Sequence, residues 1–404
     1  MSIATNQQHT KHTFIQAGSR LIERAAFYGM RSIIVLYMIS DTAHMSHENA
    51  MAVYSWFTIS VLLTPIIGAL VGDFGLGNKN TLIIGSLMQA LGIFCVCIPS
   101  ILGVYIGLIF ISLGTGFTSP NMLARFGKLY LHKTKLLDAG FSIFYTAVNI
   151  GAFIGAFCMS VVMMNIGATP AFITCGIFML LSMFLSILSK EPTQTDVPKK
   201  ALLINKNIEK IIIGILVVAI FWVIYEIAGS QVISIQMQFD SKTSLNISPS
   251  FWQGMGVFFL IPICLIMSFI WTFYYSTQFT KLAIGFIIGT VAYSLVLTIP
   301  NNVSEGHLIL YIFSIFLLSV AETYIGPVVN SILTEYTNPK YLTIMISVIN
   351  IPGRLLTYLI TTIAFFDENQ TLGLLFSTIV MAIIAISLLI YILVNKKSVA
   401  ISGT

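Results

Sequence analysis

The stretch Arg20-Leu-Ile-Glu-Arg-Ala-Ala-Phe-Tyr-Gly-Met-Arg31 sets four charged side chains inside an apolar run long enough to cross a bilayer. At roughly 100° per residue, Arg20, Glu23, Arg24, Tyr28 and Arg31 fall within an arc of about 140° and share one helix face. Leu21, Ala25 and Phe27 edge the opposite face, which suits lipid or apolar helices. An ionisable residue at the bilayer centre costs roughly 2.5–3.5 kcal/mol on insertion scales and faces a bundle interior or a watery cavity. This helix therefore reads as one wall of a polar cavity within a membrane protein.

Composition agrees. Of 404 residues, 57% are hydrophobic and 9% charged, against about 25% charged in an average soluble domain. The net charge of +5 does not point to nucleic acid, because the basic residues lie in short loops between apolar runs rather than in one patch. The five cysteines sit in apolar segments without paired spacing or nearby histidines, so they read as small core residues, and neither a metal nor another cofactor is expected. The polar N-terminus shows no apolar core of a cleaved signal, so the first helix is expected to direct insertion.

Apolar runs of about 20 residues begin near Phe14, Ala52, Thr81, Leu102, Phe141 and Pro170, and again near Ile208, Phe251, Leu282, Leu308, Leu342 and Leu372. The sequence thus predicts an all-α membrane protein of about twelve transmembrane helices. Its longest internal polar segment, 190–207, divides an N-terminal six-helix half, 1–189, from a C-terminal one, 208–404. Lys11, Lys79, Arg125, Lys128, Lys133, Lys135, Lys190, Lys281, Lys340 and Lys396 are assigned to loops of one side, whereas Lys242 alone is assigned to the other. The positive-inside rule then places both termini and the linker in the cytoplasm, in a plasma (inner) membrane.

Six helices, a cytoplasmic linker and six helices is the major facilitator-type arrangement, in which two halves rock about a site near the midplane. Gly68-Ala-Leu-Val-Gly-Asp-Phe-Gly-Leu-Gly-Asn-Lys79 resembles the loop after the second helix of that superfamily. There Asp73 is expected to cap a helix junction. Gly151 and Gly155, four apart, allow two backbones to approach closely. Asn149 on the same helix needs a hydrogen-bond partner, either a neighbouring helix or a substrate.

Carboxylates recur inside later spans, as Glu226 in Phe221-Trp-Val-Ile-Tyr-Glu226 and Glu322 in Ala321-Glu-Thr-Tyr-Ile-Gly-Pro327. Such a group is paired with a cation or protonated. Arg20, Glu23, Arg24 and Arg31 set against Glu226 and Glu322 amount to three positive and three negative charges. That balance suits a zwitterion gripped at both ends, with salt bridges across the halves as the expected partners. Nothing in the spans matches a nucleophile with its base, a metal-ligand cluster or a phosphate loop, so an enzyme is not expected.

Four stretches together resemble the proton-dependent oligopeptide transporters: Glu23-Arg24-x-x-x-Tyr28-Gly29-Met30-Arg31, Asp138-Ala-Gly-Phe-Ser-Ile-Phe-Tyr-Thr-Ala-Val-Asn-Ile-Gly-Ala152, Phe221-Trp-x-x-Tyr-Glu226 and Glu322-x-x-x-Gly-Pro327. The resemblance implies symport of di- or tripeptides, or peptide-like zwitterions, with protons by alternating access in a monomer. It further implies that Glu23, Arg24, Glu226 and Glu322 form the proton-coupling set. Arg31 would hold the peptide carboxylate, with Tyr28 lining the site and Asn149 and Glu322 near the amino end. The chain departs from the family pattern where Arg20 replaces a glutamate and Ser119 stands in place of a fourth-helix lysine. Arg20 is thereby a candidate to take over that lysine's role in substrate binding. The same departure motivates the alternative, an exporter or proton-independent carrier of another charged metabolite.

Overall fold

The computed structural model describes residues 2–3, 8–190, 208–242, 249–300, 303–362 and 370–402. Residues 191–207, most of the expected linker, lie outside the described residues. The first half comprises α1 (Lys11–Ile39), α2 (His47–Val71), α3 (Gly77–Val96), α4 (Ile101–Lys128), α5 (Leu137–Asn165) and α6 (Ala168–Leu188). The second comprises α7 (Ile208–Lys242), α8 (Pro249–Phe273), α9 (Gln278–Leu297), α10 (Gly306–Tyr336), the short α11 (Leu342–Val348) and α12 (Asn350–Thr362), and α13 (Gln370–Ser402).

The expected spans are present, and most helices begin a few residues before the apolar run. Polar residues at the interface start them: Ser46, Ser100 and Thr277 each accept a hydrogen bond from a backbone N–H of the first turn, at Asn49, Gly103 and Thr280. Such caps satisfy amides that have no partner within the helix. Two spans hide from an apolar-length count. Charges exclude α1, and a break at Ile349 divides the eleventh crossing into α11 and α12.

One large apolar core lies within the first half and another is centred on the second. One joins Phe27, Ile33 and Tyr37 of α1 to Phe57, Ile93, Ile111 and Phe172. Another joins Phe221, Trp271, Phe286, Tyr311, Ile332 and Met381, drawn from the second half, to Ala124 and Ala139. Large apolar side chains such as Trp56, Phe157, Met164, Phe258 and Ile309 point outward, which in water would be a liability and in lipid is the expected covering.

α1 packs against both α5 and α6. A side chain at Gly151 or Gly155 would run into the backbone of Leu21 or Ala25. The two helices therefore touch backbone to backbone, with no side chain between them. On the α6 side the contact is polar, with Ser19 hydrogen-bonded to Ser182 and Ser186 at 2.7–3.1 Å. With both flanks fixed, the charged face of α1 has one direction left, toward the other half.

Arg125 and Lys281, assigned to loops from the sequence, are in fact buried, each 1% exposed. Arg125 donates to the Ser186 and Ser189 carbonyls at 3.2–3.4 Å, acceptors left over at the end of α6. Lys281 pairs with Asp138 of the opposite half and lies 4.5 Å from the Trp271 ring centroid. Replacing Gly155 by leucine is expected to push α5 from α1 and lower the thermal unfolding temperature in detergent, whereas Gly229→Leu, where a side chain meets open space, is expected to leave it nearly unchanged. Equal effects of the two substitutions would contradict the close contact.

Candidate functional site

Two of the first-helix arginines, Arg20 and Arg24, converge on Glu23. Glu23, fully buried, receives Arg20 Nη1 at 3.0 Å and Arg24 Nε at 2.6 Å on Oε2, and Arg24 Nη2 at 2.5 Å on Oε1. This corrects the expectation that Glu226 and Glu322 would serve as the partners of these arginines. The pairing is local because three charges within five residues of one helix face can meet without any movement of the halves. Aromatic rings complete the enclosure: Arg24 lies 4.8 Å from the Phe27 ring and 5.7 Å from that of Tyr28, and Arg20 lies 5.6 Å from Phe144.

Arg20 also donates to the Ser119 hydroxyl at 3.0 Å. The two departures from the family pattern therefore touch, and the added cation reaches the very position from which one was lost. Ser119 precedes Pro120, and both, with Arg20 and Arg24, line a cavity of about 330 Å³ between the halves. Tyr145 of α5, Trp222 of α7, Asn330 of α10 and Ser347 of α11 complete its polar and aromatic wall. A second chamber of about 340 Å³ holds Glu226 with Tyr225 and Thr357, and shares Leu62, Trp222 and Ile349 with the first. Trp222 thus stands between a cationic end and an end that carries a carboxylate.

The remaining sequence-derived candidates separate into two places. Glu322 Oε1 accepts the Tyr145 hydroxyl at 2.5 Å, a bond from one half to the other. Asn149 Nδ2 donates to the Tyr145 carbonyl of its own helix at 2.9 Å, so Glu322, Tyr145 and Asn149 form one group. Arg31, by contrast, is absent from the lining of both chambers and gives its Nε to the Tyr54 hydroxyl at 2.7 Å. Tyr145 escaped the sequence reading although it lies one helical turn before Asn149 and hence on the same face. Arg354, in Ile351-Pro-Gly-Arg354 and expected from the sequence to snorkel to the cytoplasmic surface, has its side chain outside the described residues.

Polar bonds between the halves gather toward the face that carries the N-terminus. Asp73 accepts the Thr343 hydroxyl at 2.5 Å and the Ile344 amide at 3.0 Å, which caps the start of α11. Asn78 donates to Thr343 at 2.7 Å. His9 joins Tyr130 at 2.8 Å to Thr272 at 3.0 Å through its two ring nitrogens. Burial, and secondarily the charge of Lys133, lower the pKa of His9 below the usual histidine value. Because Thr272 gives its own proton to the Ser268 carbonyl, the neutral ring donates to Thr272 and accepts from Tyr130. One turn inside the Asp138–Lys281 pair, Ser142 donates to the carbonyl of Cys264 at 2.9 Å, and Cys264 is itself buried.

The sequence matches the family model described as the Major Facilitator Superfamily over residues 19–361. The chain belongs to that superfamily. It is 31% identical over 167 residues to the dipeptide and tripeptide permease B of Aliivibrio fischeri, a match covering 41% of this chain and 33% of the permease. The chain thus matches about a third of the length of that relative. Its fold is shared with a POT family transporter solved with a thioalcohol-conjugated peptide, at 18% identity, a TM-score of 0.62 and coverage of 96% and 97% of the two chains. It is shared as well with the human organic anion transporter MFSD10, at 12% identity, a TM-score of 0.66 and coverage of 94% and 100%.

Removing one member of the Asp138–Lys281 pair leaves a buried charge alone, a change that costs about 3–5 kcal/mol in buried pairs. In a protein whose only cysteine is Cys264, Lys281→Met is expected to speed maleimide labelling of Cys264, and Asp138→Asn added to it is expected to restore slow labelling. Unchanged labelling in Lys281→Met would remove the pair from the closure of this face.

Proposed function

We propose that the protein is a proton-coupled symporter of di- or tripeptides or similar zwitterions, a divergent member of the peptide transporters within the superfamily. One observation carries this reading: a cavity between the halves is lined by two arginines, shares the Trp222 wall with the Glu226 chamber, and has the Tyr145–Glu322 bond at its side. Separated charges of this kind suit a small molecule with an anionic end and a cationic end, while aromatic and aliphatic walls suit what lies between them. The similarity to the permease named above supports the same substrate class.

In this reading the halves, residues 1–189 and 208–404, are the moving bodies, and both termini face the cytoplasm from the plasma (inner) membrane. The closed face is then cytoplasmic, and Asp138–Lys281, Asp73–Thr343 and His9 are the contacts that part when substrate is released inward. Glu23, Arg24, Glu226 and Glu322 are the residues through which proton binding would reach the cavity. Glu23 has two guanidiniums to release before it accepts a proton, whereas Glu322 has one phenol. Glu322 is thus the carboxylate whose partner a substrate ammonium group displaces most readily, with Tyr145 left to bond the peptide. The protein acts as a monomer on a small molecule, without nucleic acid, metal or other cofactor.

Purified protein in liposomes tests the reading. Labelled dialanine is expected to accumulate above its equilibrium level when the outside is acidified, and a protonophore is expected to abolish that accumulation. Glu322→Gln is expected to weaken uptake of peptides with a free amino group more than binding of N-acetylated ones. No uptake of any member of a di- and tripeptide set under an inward proton gradient would overturn the substrate class.

A further inference from the structure

We propose that His9 is a strap across the seam of the closed face, tying the start of α1 to the end of α8, and that a proton taken up from the cytoplasm releases it and favours opening of that face. The proposal rests on the reading above for the compartment this face meets, and on no assignment of substrate.

His9 lies two residues before α1 and so moves with the first half. Thr272 lies in the last turn of α8 and moves with the second. One imidazole reaches both sides, with its ring nitrogens 2.8 Å from the Tyr130 hydroxyl and 3.0 Å from that of Thr272. The first-half end of the strap is fixed twice more. The Thr13 hydroxyl lies 2.9 Å from that of Tyr130, and the Lys133 ammonium donates to the Gln8 carbonyl at 3.0 Å. A second link runs the same way, since Ser2–Ile3 pairs antiparallel with Tyr274–Tyr275, directly after α8. The segment before α1 thus meets the second half at neighbouring residues, Thr272 and Tyr274–Tyr275. Each of these bonds can be exchanged for one to water when the halves part, so the strap can release without leaving a buried group unpaired.

The site suits only a neutral ring. Thr272 accepts from one nitrogen and Tyr130 donates to the other, so a second ring proton would meet a hydroxyl already arranged to give its own. The added charge would also lie near Lys133 in a partly buried site, with the Phe14 ring 6.4 Å away. The groups facing His9 are Tyr130 and Lys133 from the α4–α5 connection and the uncharged Thr272 from α8, with Lys11 following on its own helix. Phenols and ammonium groups keep their charge state between about pH 5 and pH 8, and burial pushes Tyr130 further up. His9 is therefore the member of this group that titrates there. Burial and Lys133 hold its pKa down in the closed face, and opening returns it to the ordinary value near 6.5. Below that pH the open form takes up a proton that the closed form resists. The strap holds at neutral pH and weakens as the cytoplasm acidifies.

The experiment reads the separation of the halves directly. Spin labels are placed by Asn80→Cys and Lys340→Cys, exposed positions of the first and second halves flanking the Asn78–Thr343 bond, in a protein whose five other cysteines are replaced by alanine. Pulsed electron resonance then gives the distance in lipid nanodiscs without substrate. Between about pH 8 and about pH 5.5 the ratio of long to short distances is expected to rise by up to about tenfold, the limit set by one pH unit below the ordinary histidine value. His9→Gln, whose amide still donates to Thr272 and accepts from Tyr130 but does not titrate, is expected to lose that response and stay short. His9→Ala and Thr272→Val are each expected to raise the long-distance population at about pH 8, and the double variant no more than either alone.

Unchanged distances in both single variants, additive effects in the double one, or a pH response in His9→Gln as large as in wild type would each refute the strap. Peptide enters none of these measurements, so a failure of peptide uptake leaves the proposal standing. A protease that reaches an N-terminal tag only from outside the cell would refute the cytoplasmic source of the proton, a result the distances do not affect.

Discussion

Glu23 holds two guanidiniums in the interior of a membrane protein, and the placement of much else follows from that arrangement. Removing one partner of such a buried group costs about 3–5 kcal/mol, so the first helix cannot rotate its charged face into lipid. Gly151 and Gly155 bring α5 against its backbone on one flank, and the serines of α6 hold the other. The only remaining outlet for the charge is the space between the halves, which becomes the cavity. Position, polarity and net charge of the site thus come from one short segment and the two helices that confine it.

The two halves are joined by bonds of a different kind. On the face that carries the N-terminus they meet through groups that can be exchanged for water or for one another: a carboxylate capping a helix start, a lysine against an aspartate, an imidazole between two hydroxyls. Nearer the cavity, among the described residues, a phenol on a carboxylate joins them. In the proposed reading, a substrate with a cationic end competes for that carboxylate. Binding and the loosening of the halves would then be linked through Glu322, which is the requirement for alternating access.

Much of this was legible in the sequence. Apolar runs of bilayer length fixed the spans, because hydrocarbon admits only backbone that satisfies itself within a helix. The charged face of α1 announced a cavity for the same reason. What stayed hidden depended on partners far along the chain. Arg125 and Lys281 looked like loop cations because the Ser186 and Ser189 carbonyls, Asp138 and Trp271 are brought to them only by the fold. Glu226 and Glu322 were sought as partners of the first-helix arginines across the cavity, whereas Glu23 of the same helix receives Arg20 and Arg24. The contact of Arg20 with Ser119 was foreshadowed by two substitutions that differ from a shared pattern, and distance alone could complete that inference.

A structure of the full chain in a lipid nanodisc with alanyl-alanine bound tests the account most directly. The account predicts the peptide in the cavity beside Trp222, with its ammonium group on Glu322 in place of the Tyr145 hydroxyl. A peptide bound outside this cavity, or one bound with the Tyr145–Glu322 bond intact, would contradict it.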